Sequence, residues 1–262
     1  MISIRESNII CKKKPTLKNP ICVVGLPGIG HIGRISVDYM IHELKAEKFA
    51  ELYSPNFFPF VVVHDDKIHT LRNEFFYYKS KKKGGRDLIF LIGDCQSFVP
   101  TGHYEVCGKI LDFLKSLNCK EVVTIGGFAT GKIVENPGVY GVVMEDKQAK
   151  ALTKYGVSLD VGGKITTIIG ASGLLIGLAK PLGMSGFCLL GETSGYPIVT
   201  DPHASEAVLK VLMKVLGVKF ELKNLKDKVD HMYGFIKKLQ NVQTQAMEKM
   251  QPKGDEDLKY IG

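Results

Sequence analysis

Two glycine-rich stretches of the chain carry residue types and spacings that could do chemistry. Gly28-Ile-Gly30-His-Ile-Gly33, preceded by Gly25, fits G-x-G-x-x-G between an apolar run and a helical pattern. In that setting the glycines let the backbone approach a pyrophosphate, which the N–H groups of a helix N-terminus then receive. Glu51 lies 18 residues after Gly33. It is placed as the acidic residue that such sites set against a ribose hydroxyl. Pro27 argues the other way, because it stiffens the turn and removes one N–H. Two readings follow. Gly28, Gly30 and Gly33 bind a nucleotide or small anion, in an enzyme or a sensor, or the stretch is a tight strand-to-helix turn with close packing.

The second stretch, Gly126 to Lys132, fits G-x-x-x-x-G-K, but Ile133 stands where a phosphate loop needs Ser or Thr for magnesium. Asp94 follows an apolar strand, as a metal-binding carboxylate of such an enzyme would. The missing hydroxyl decides against nucleotide hydrolysis here. The seven histidines are scattered, and none forms H-E-x-x-H. The six cysteines, at 11, 22, 95, 107, 119 and 188, form no zinc spacing. Ser194 is not in a G-x-S-x-G setting. No catalytic residues, metal or cofactor are expected. The cysteines read as reduced thiols of a cytoplasmic protein, since a chain of this size needs no disulfide staple.

The elements that must position these residues alternate between strand and helix. Strands are expected at 21–25, 60–63, 74–78, 88–93, 121–125 and 187–190. Helices are expected at 31–44, 102–117 and 201–216, from their apolar spacing. Asp201 suits a cap, Pro202 a first turn and Gly217 a stop. Residues 88–93 are apolar throughout, as in a strand covered on both faces. Strands separated by helices imply an α/β layered domain with a mostly parallel sheet. Gly84-Gly85 makes 74–79 and 87–93 a hairpin, so the sheet is mixed.

The 262 residues are 45% apolar and 24% charged, which excludes a disordered chain. No signal peptide is read at the start. The longest uncharged apolar stretch, 165–179, is too short to span a bilayer and reads as a buried helix. The net charge of +8 sits in two knots, at Lys12–Lys14 and at Lys79, Lys81–Lys83 and Arg86. Outside them, basic and acidic residues number 27 each. A nucleic-acid binder spreads its cations along a groove, so no nucleic-acid partner is expected. The expected domains are 1–219, a helix over 220–250 and a tail over 251–262. Leu225, Val229, Met232, Phe235, Ile236 and Leu239 make a narrow stripe on that helix. It docks on its own domain or joins copies. The tail is acidic at 255–257, yet it carries Leu258, Tyr260 and Ile261. Apolar residues that bury nothing locally point to a partner surface.

Several segments, in order, resemble the archaeal proteasome-assembly-chaperone family. They are Gly25–Asp38, Ser54–Pro59, Gly93–Gln96, Gly126-Gly127, Ala171–Gly177 and Leu190–Pro197, followed by Asp201-Pro202. Singly they are unspecific; together they are specific, and the match they make runs over about residues 20–217. The resemblance implies a three-layer α/β/α fold similar to nucleoside phosphorylases, with a C-terminal helix. It implies homo-oligomers and a binding role rather than a reaction, with proteasome α subunits as partners. Some relatives insert a tail of hydrophobic residue, tyrosine and a final residue between α subunits. Here Tyr260 is third from the end and Lys259 precedes it. Either Tyr260, Ile261 and Gly262 form a shifted variant of that tail or the motif is absent; the residues expected to bind the partner are Leu258, Tyr260, Ile261 and Gly262.

Overall fold

The computed structural model describes residues 5–64, 66–159, 165–196, 200–223, 225, 229, 234, 237, 238 and 241–245. Along the chain run β1 (Asn8–Cys11), β2 (Ile21–Gly25), α1 (Ile32–Leu44), β3 (Glu47–Tyr53), β4 (Val61–His64) and β5 (Lys67–Thr70). Then come β6 (Asn73–Tyr78), β7 (Leu88–Gly93), α2 (Pro100–Ser116), β8 (Glu121–Ala129), β9 (Val139–Val143) and α3 (Asp146–Thr153). Last are α4 (Ala171–Ala179), β10 (Ser185–Thr193) and α5 (Pro202–Leu216). Eight strands form one sheet in the order β1-β3-β6-β7-β2-β8-β10-β9, and β4 and β5 pair separately. The centre, β7-β2-β8-β10, is parallel. The flanks are antiparallel. The fold is thus the α/β layered architecture with a mixed sheet that the alternation of elements implies.

Period-two geometry explains the apolar central strands. Cys22, Val24, Ile89, Leu91 and Val122 face the layer of α2 and α4. Val23, Phe90, Val123 and Leu189 face the layer of α1 and α5. Every position of such a strand is buried, so nearly all are apolar, and the buried Thr124 of β8 is satisfied by donating to the Ser172 carbonyl at 2.8 Å. Asp201 caps α5 by accepting from the Ala204 N–H at 2.9 Å, and Gly217 ends it at φ 67°. The expected 165–179 helix is shorter, because Gly170 sits at φ 83° and α4 begins only after it. Sequence patterning gave no range for β1, β3, β5, β9 or α3.

The C-terminal stretch is helical at 225, 229, 234, 237, 238 and 241–245. Leu225 and Val229 are buried in the α1/α5 layer. The Tyr39 hydroxyl donates to the Glu221 carbonyl at 2.7 Å. At these positions the stretch packs on its own domain. Met232, Phe235, Ile236 and Leu239 of the stripe, and the whole 251–262 tail with Leu258, Tyr260, Ile261 and Gly262, lie outside the described residues.

The hairpin of β6 and β7 has the expected turn. Gly84 is at φ 74° and the Gly85 N–H donates to the Lys82 carbonyl at 2.9 Å. Asp87, not the lysines, holds it: its carboxylate accepts from the Lys18 and Ser80 N–H groups at 2.7 and 2.8 Å. Lys81, Lys82 and Lys83 are exposed. Replacing all three by alanine is expected to move the melting temperature by no more than about 6 °C, since each exposed substitution costs about 0.5 kcal/mol or less. A thermal melt followed by circular dichroism checks this.

Candidate functional site

The segments that carry the family resemblance converge on the carboxyl ends of β2, β7, β8 and β10. That edge is the default ligand position of an open α/β sheet. Gly28 precedes a single 3-10 turn, Ile29–His31, that leads into α1. Gly30 and His31 adopt φ 66° and 51°, which reverses the chain between strand and helix. Asp201 N–H donates to the Gly30 carbonyl at 2.8 Å, so the start of α5 locks this turn.

The glycines differ in what surrounds them. A Cβ at Gly25 would lie 2.2 Å from the Gly33 carbonyl oxygen, and one at Gly33 would lie 2.8 Å from that of Ile125. These two let α1 sit directly on β2 and β8. A Cβ at Gly30 would meet Asp201 at 3.2 Å, while one at Gly28 meets nothing within 4 Å. Glu51 does not approach the turn. It lies on β3, separated from β2 by β6 and β7, and it is engaged by Lys48 and Tyr53 at 2.7 and 2.9 Å. Its spacing matched a dinucleotide site, but the strand that follows α1 joins the sheet three places away rather than beside β2.

Gly28 and Gly33 border a cavity of about 410 Å³. Leu26, Ile29, Phe128, Ile168 and Leu190 make its walls mainly apolar. Its polar side chains are Gln96, Thr167 and Ser172, and no charged side chain lines it among the described residues. Gln96 is committed to structure: its amide donates to the Pro27 carbonyl at 2.6 Å and accepts from the Ala171 N–H at 2.8 Å. Ser172 donates to the Ile125 carbonyl at 3.1 Å. The second glycine-rich stretch is no phosphate loop. Gly126–Ala129 continues β8 and pairs with Leu190–Thr193 of β10.

Beside this cavity the structure gathers a charged cluster that sequence reasoning missed. Asp94 follows β7 and is 7% exposed. Its Oδ2 is 2.6 Å from His69 Nε2 of β5 and accepts from the Arg72 N–H at 3.2 Å. Its Oδ1 is 3.5 Å from Arg34 of α1, whose guanidinium also donates to the Gly93 carbonyl. The cluster joins α1, the small β4–β5 sheet and the end of β7. Burial and the Arg34 charge lower His31 to about 4, so its imidazole is neutral at pH 7. Burial pushes the Cys95 thiol up, which makes it a poor nucleophile. The only signal for this cluster in the sequence is Asp94 after an apolar strand. His69 lies 25 residues away and matches no motif.

Among the described residues, no group of three or more His, Cys, Asp or Glu could hold a metal ion. No described helix is long and apolar enough to cross a membrane.

Comparison with known proteins agrees on one family. The model of the PAC2 family matches residues 22–240. A protein of Methanocaldococcus jannaschii, "Uncharacterized protein MJ1210", is 36% identical over 251 residues, covering 94% of this chain and 93% of the relative. Among solved structures, Pyrococcus furiosus PbaB, described as an archaeal proteasome activator, is 36% identical. The alignment covers 90% of this chain and 99% of PbaB, with a TM-score of 0.79. P. furiosus PbaA, described as an archaeal homolog of proteasome-assembly chaperone, is 25% identical with a TM-score of 0.71, covering 90% and 99% of the two chains.

Proposed function

Since the chain belongs to the PAC2 family, we propose that it is a non-catalytic proteasome-assembly chaperone or activator whose partners are proteasome α subunits. The observation that carries this reading is the likeness, over almost the whole of both chains, to PbaB. The geometry of the segments that carry the family resemblance agrees with it. Gly25, Gly33, Gln96, Ser172 and Asp201 are engaged in close packing or hydrogen bonds that hold the sheet edge together, even where Gly33, Gln96 and Ser172 line the cavity. In this reading the frame presents a surface to a partner.

In this reading Leu258, Tyr260, Ile261 and Gly262 insert between α subunits as a short anchored peptide. A single tail of this length binds weakly. The chain therefore acts as a cytoplasmic homo-oligomer whose several tails engage one ring, which multiplies the apparent affinity. A nucleotide at the 25–33 turn is not favoured, because among the described residues that line the cavity beside it none is a cation for a phosphate.

Size-exclusion chromatography of the chain mixed with purified proteasome α subunits at low salt tests the proposal. Co-elution is expected. Deleting residues 258–262 should weaken the complex at least tenfold. Absence of any complex overturns the function, while an unchanged complex after the deletion overturns the role of the tail alone.

A further inference from the structure

Part of the excess positive charge has a place in the fold that the function above does not use. Lys82 of the β6–β7 turn, Lys210 and Lys214 of α5 and Lys219 just beyond it rim a groove of about 700 Å³. Its floor includes Met213, Phe220 and Leu222. Lys210 is paired with Glu206 at 2.7 Å. Lys82, Lys214 and Lys219 have no carboxylate partner among the described residues. Lys82 was one member of a loop knot in the sequence, and the other three were scattered beyond residue 200. The fold brings the four around one apolar floor.

An apolar trough with three ammonium groups on its rim that face no carboxylate among the described residues suits a peptide in which carboxylates stand next to bulky apolar residues. The chain contains one such segment: Asp255-Glu256-Asp257, followed by Leu258, Tyr260 and Ile261. We propose that residues 255–261 dock in this groove, with the acidic triplet on the lysine rim and the apolar residues on the floor. The docked tail would be withheld from any other partner, so binding elsewhere has to compete with the groove. The inference rests on the chemistry of this chain's own residues and not on which partner the tail serves.

The reach is sufficient. The Gln243 amide donates to the Asp94 carbonyl at 3.4 Å, just past the carboxyl end of β7. The groove lies by the amino end of β7, where Leu88 borders a smaller cavity that shares Lys82 and Gly217 with it. A strand as long as β7 covers only about 20 Å. The twelve residues from 243 to 255 extend to about 40 Å.

Met213 in the floor provides the probe. The full-length chain is labelled with ¹³C-methyl methionine, and the Met213 signal is assigned with Met213→Leu. Deleting residues 251–262 is expected to shift that signal, and a synthetic peptide of residues 251–262 should restore it. The exposed pair Lys214→Glu and Lys219→Glu should raise the apparent Kd of the peptide at least tenfold without loss of the circular dichroism spectrum. A peptide with Asp255, Glu256 and Asp257 changed to Lys should recover binding to that variant. An unchanged Met213 signal on deletion, or equal binding of a scrambled peptide of the same composition, overturns the proposal. Neither outcome bears on whether the chain binds α subunits.

Discussion

Asp94→Ala will lower the stability of the chain by about 3–5 kcal/mol, the cost of breaking a buried ion pair by removing one partner. For a domain of this size, that is a fall in melting temperature of about 10 °C or more. The physical reason is the state in which the substitution leaves Arg34. Its side chain is 11% exposed, and Asp94 is the carboxylate 3.5 Å from it. Without Asp94 the guanidinium stays out of water with little but the Gly93 carbonyl to meet its charge. The backbone N–H of Arg72 also loses an acceptor. Asp94→Asn keeps an acceptor for that N–H but removes the charge, so it should fall between wild type and Asp94→Ala. His69→Ala removes a partner that is more open to water, at 22% exposure, and should cost less than either. Urea unfolding of the three variants ranks them. A loss below about 1 kcal/mol for Asp94→Ala would mean that the cluster does not anchor the β4–β5 sheet.

Gly25→Ala is expected to cost about 3 kcal/mol, at the upper end for adding a single methyl group to a packed site. The added Cβ would fall 2.2 Å from the Gly33 carbonyl oxygen and 2.6 Å from a Val37 methyl group. The first of these is backbone of α1, so relief requires the helix to move off the sheet rather than a side chain to rotate. Gly33→Ala meets the Ile125 carbonyl oxygen at 2.8 Å and should behave similarly. Gly28→Ala is the control. Its backbone is extended at φ −168°, and a Cβ there meets nothing within 4 Å. It should leave the melting temperature within about 2 °C of wild type, as for an unstrained exposed substitution. If all three variants melted alike, close packing would not be the reason for glycine at 25 and 33.

These two predictions mark the boundary of what could be read from residues alone. The G-x-G-x-x-G spacing told that a strand turns sharply into a helix, and it does. It could not tell packing from ligand binding, because both demand a backbone without Cβ atoms at close approach. The matching acidic position, Glu51, shows how such spacing misleads. Distance along the chain said nothing of β6 and β7 lying between β3 and β2. The Asp94 cluster was invisible for the same reason: Arg34, His69 and Asp94 come from three elements with no common motif.

What the sequence by itself determined is the layered α/β fold, its apolar central strands, the β6–β7 hairpin and the caps of α5. Each follows from local rules. A strand buried on both faces needs an apolar residue at nearly every position, a hairpin needs its glycines, and a helix start needs an acceptor for its free N–H groups. The order of segments was also enough to carry the family resemblance. Only the tertiary structure decided which glycines are closed by packing and that Gly28 has open space beside it, which charge answers Asp94, and which lysines gather around one groove. Those outcomes depend on strand order and on the seating of α1 and α5, which set neighbours in space that neither spacing nor composition encodes. The +8 charge is one number in the sequence. In the fold its hairpin knot is an exposed turn, one lysine of which, Lys82, joins Lys210, Lys214 and Lys219 around a groove.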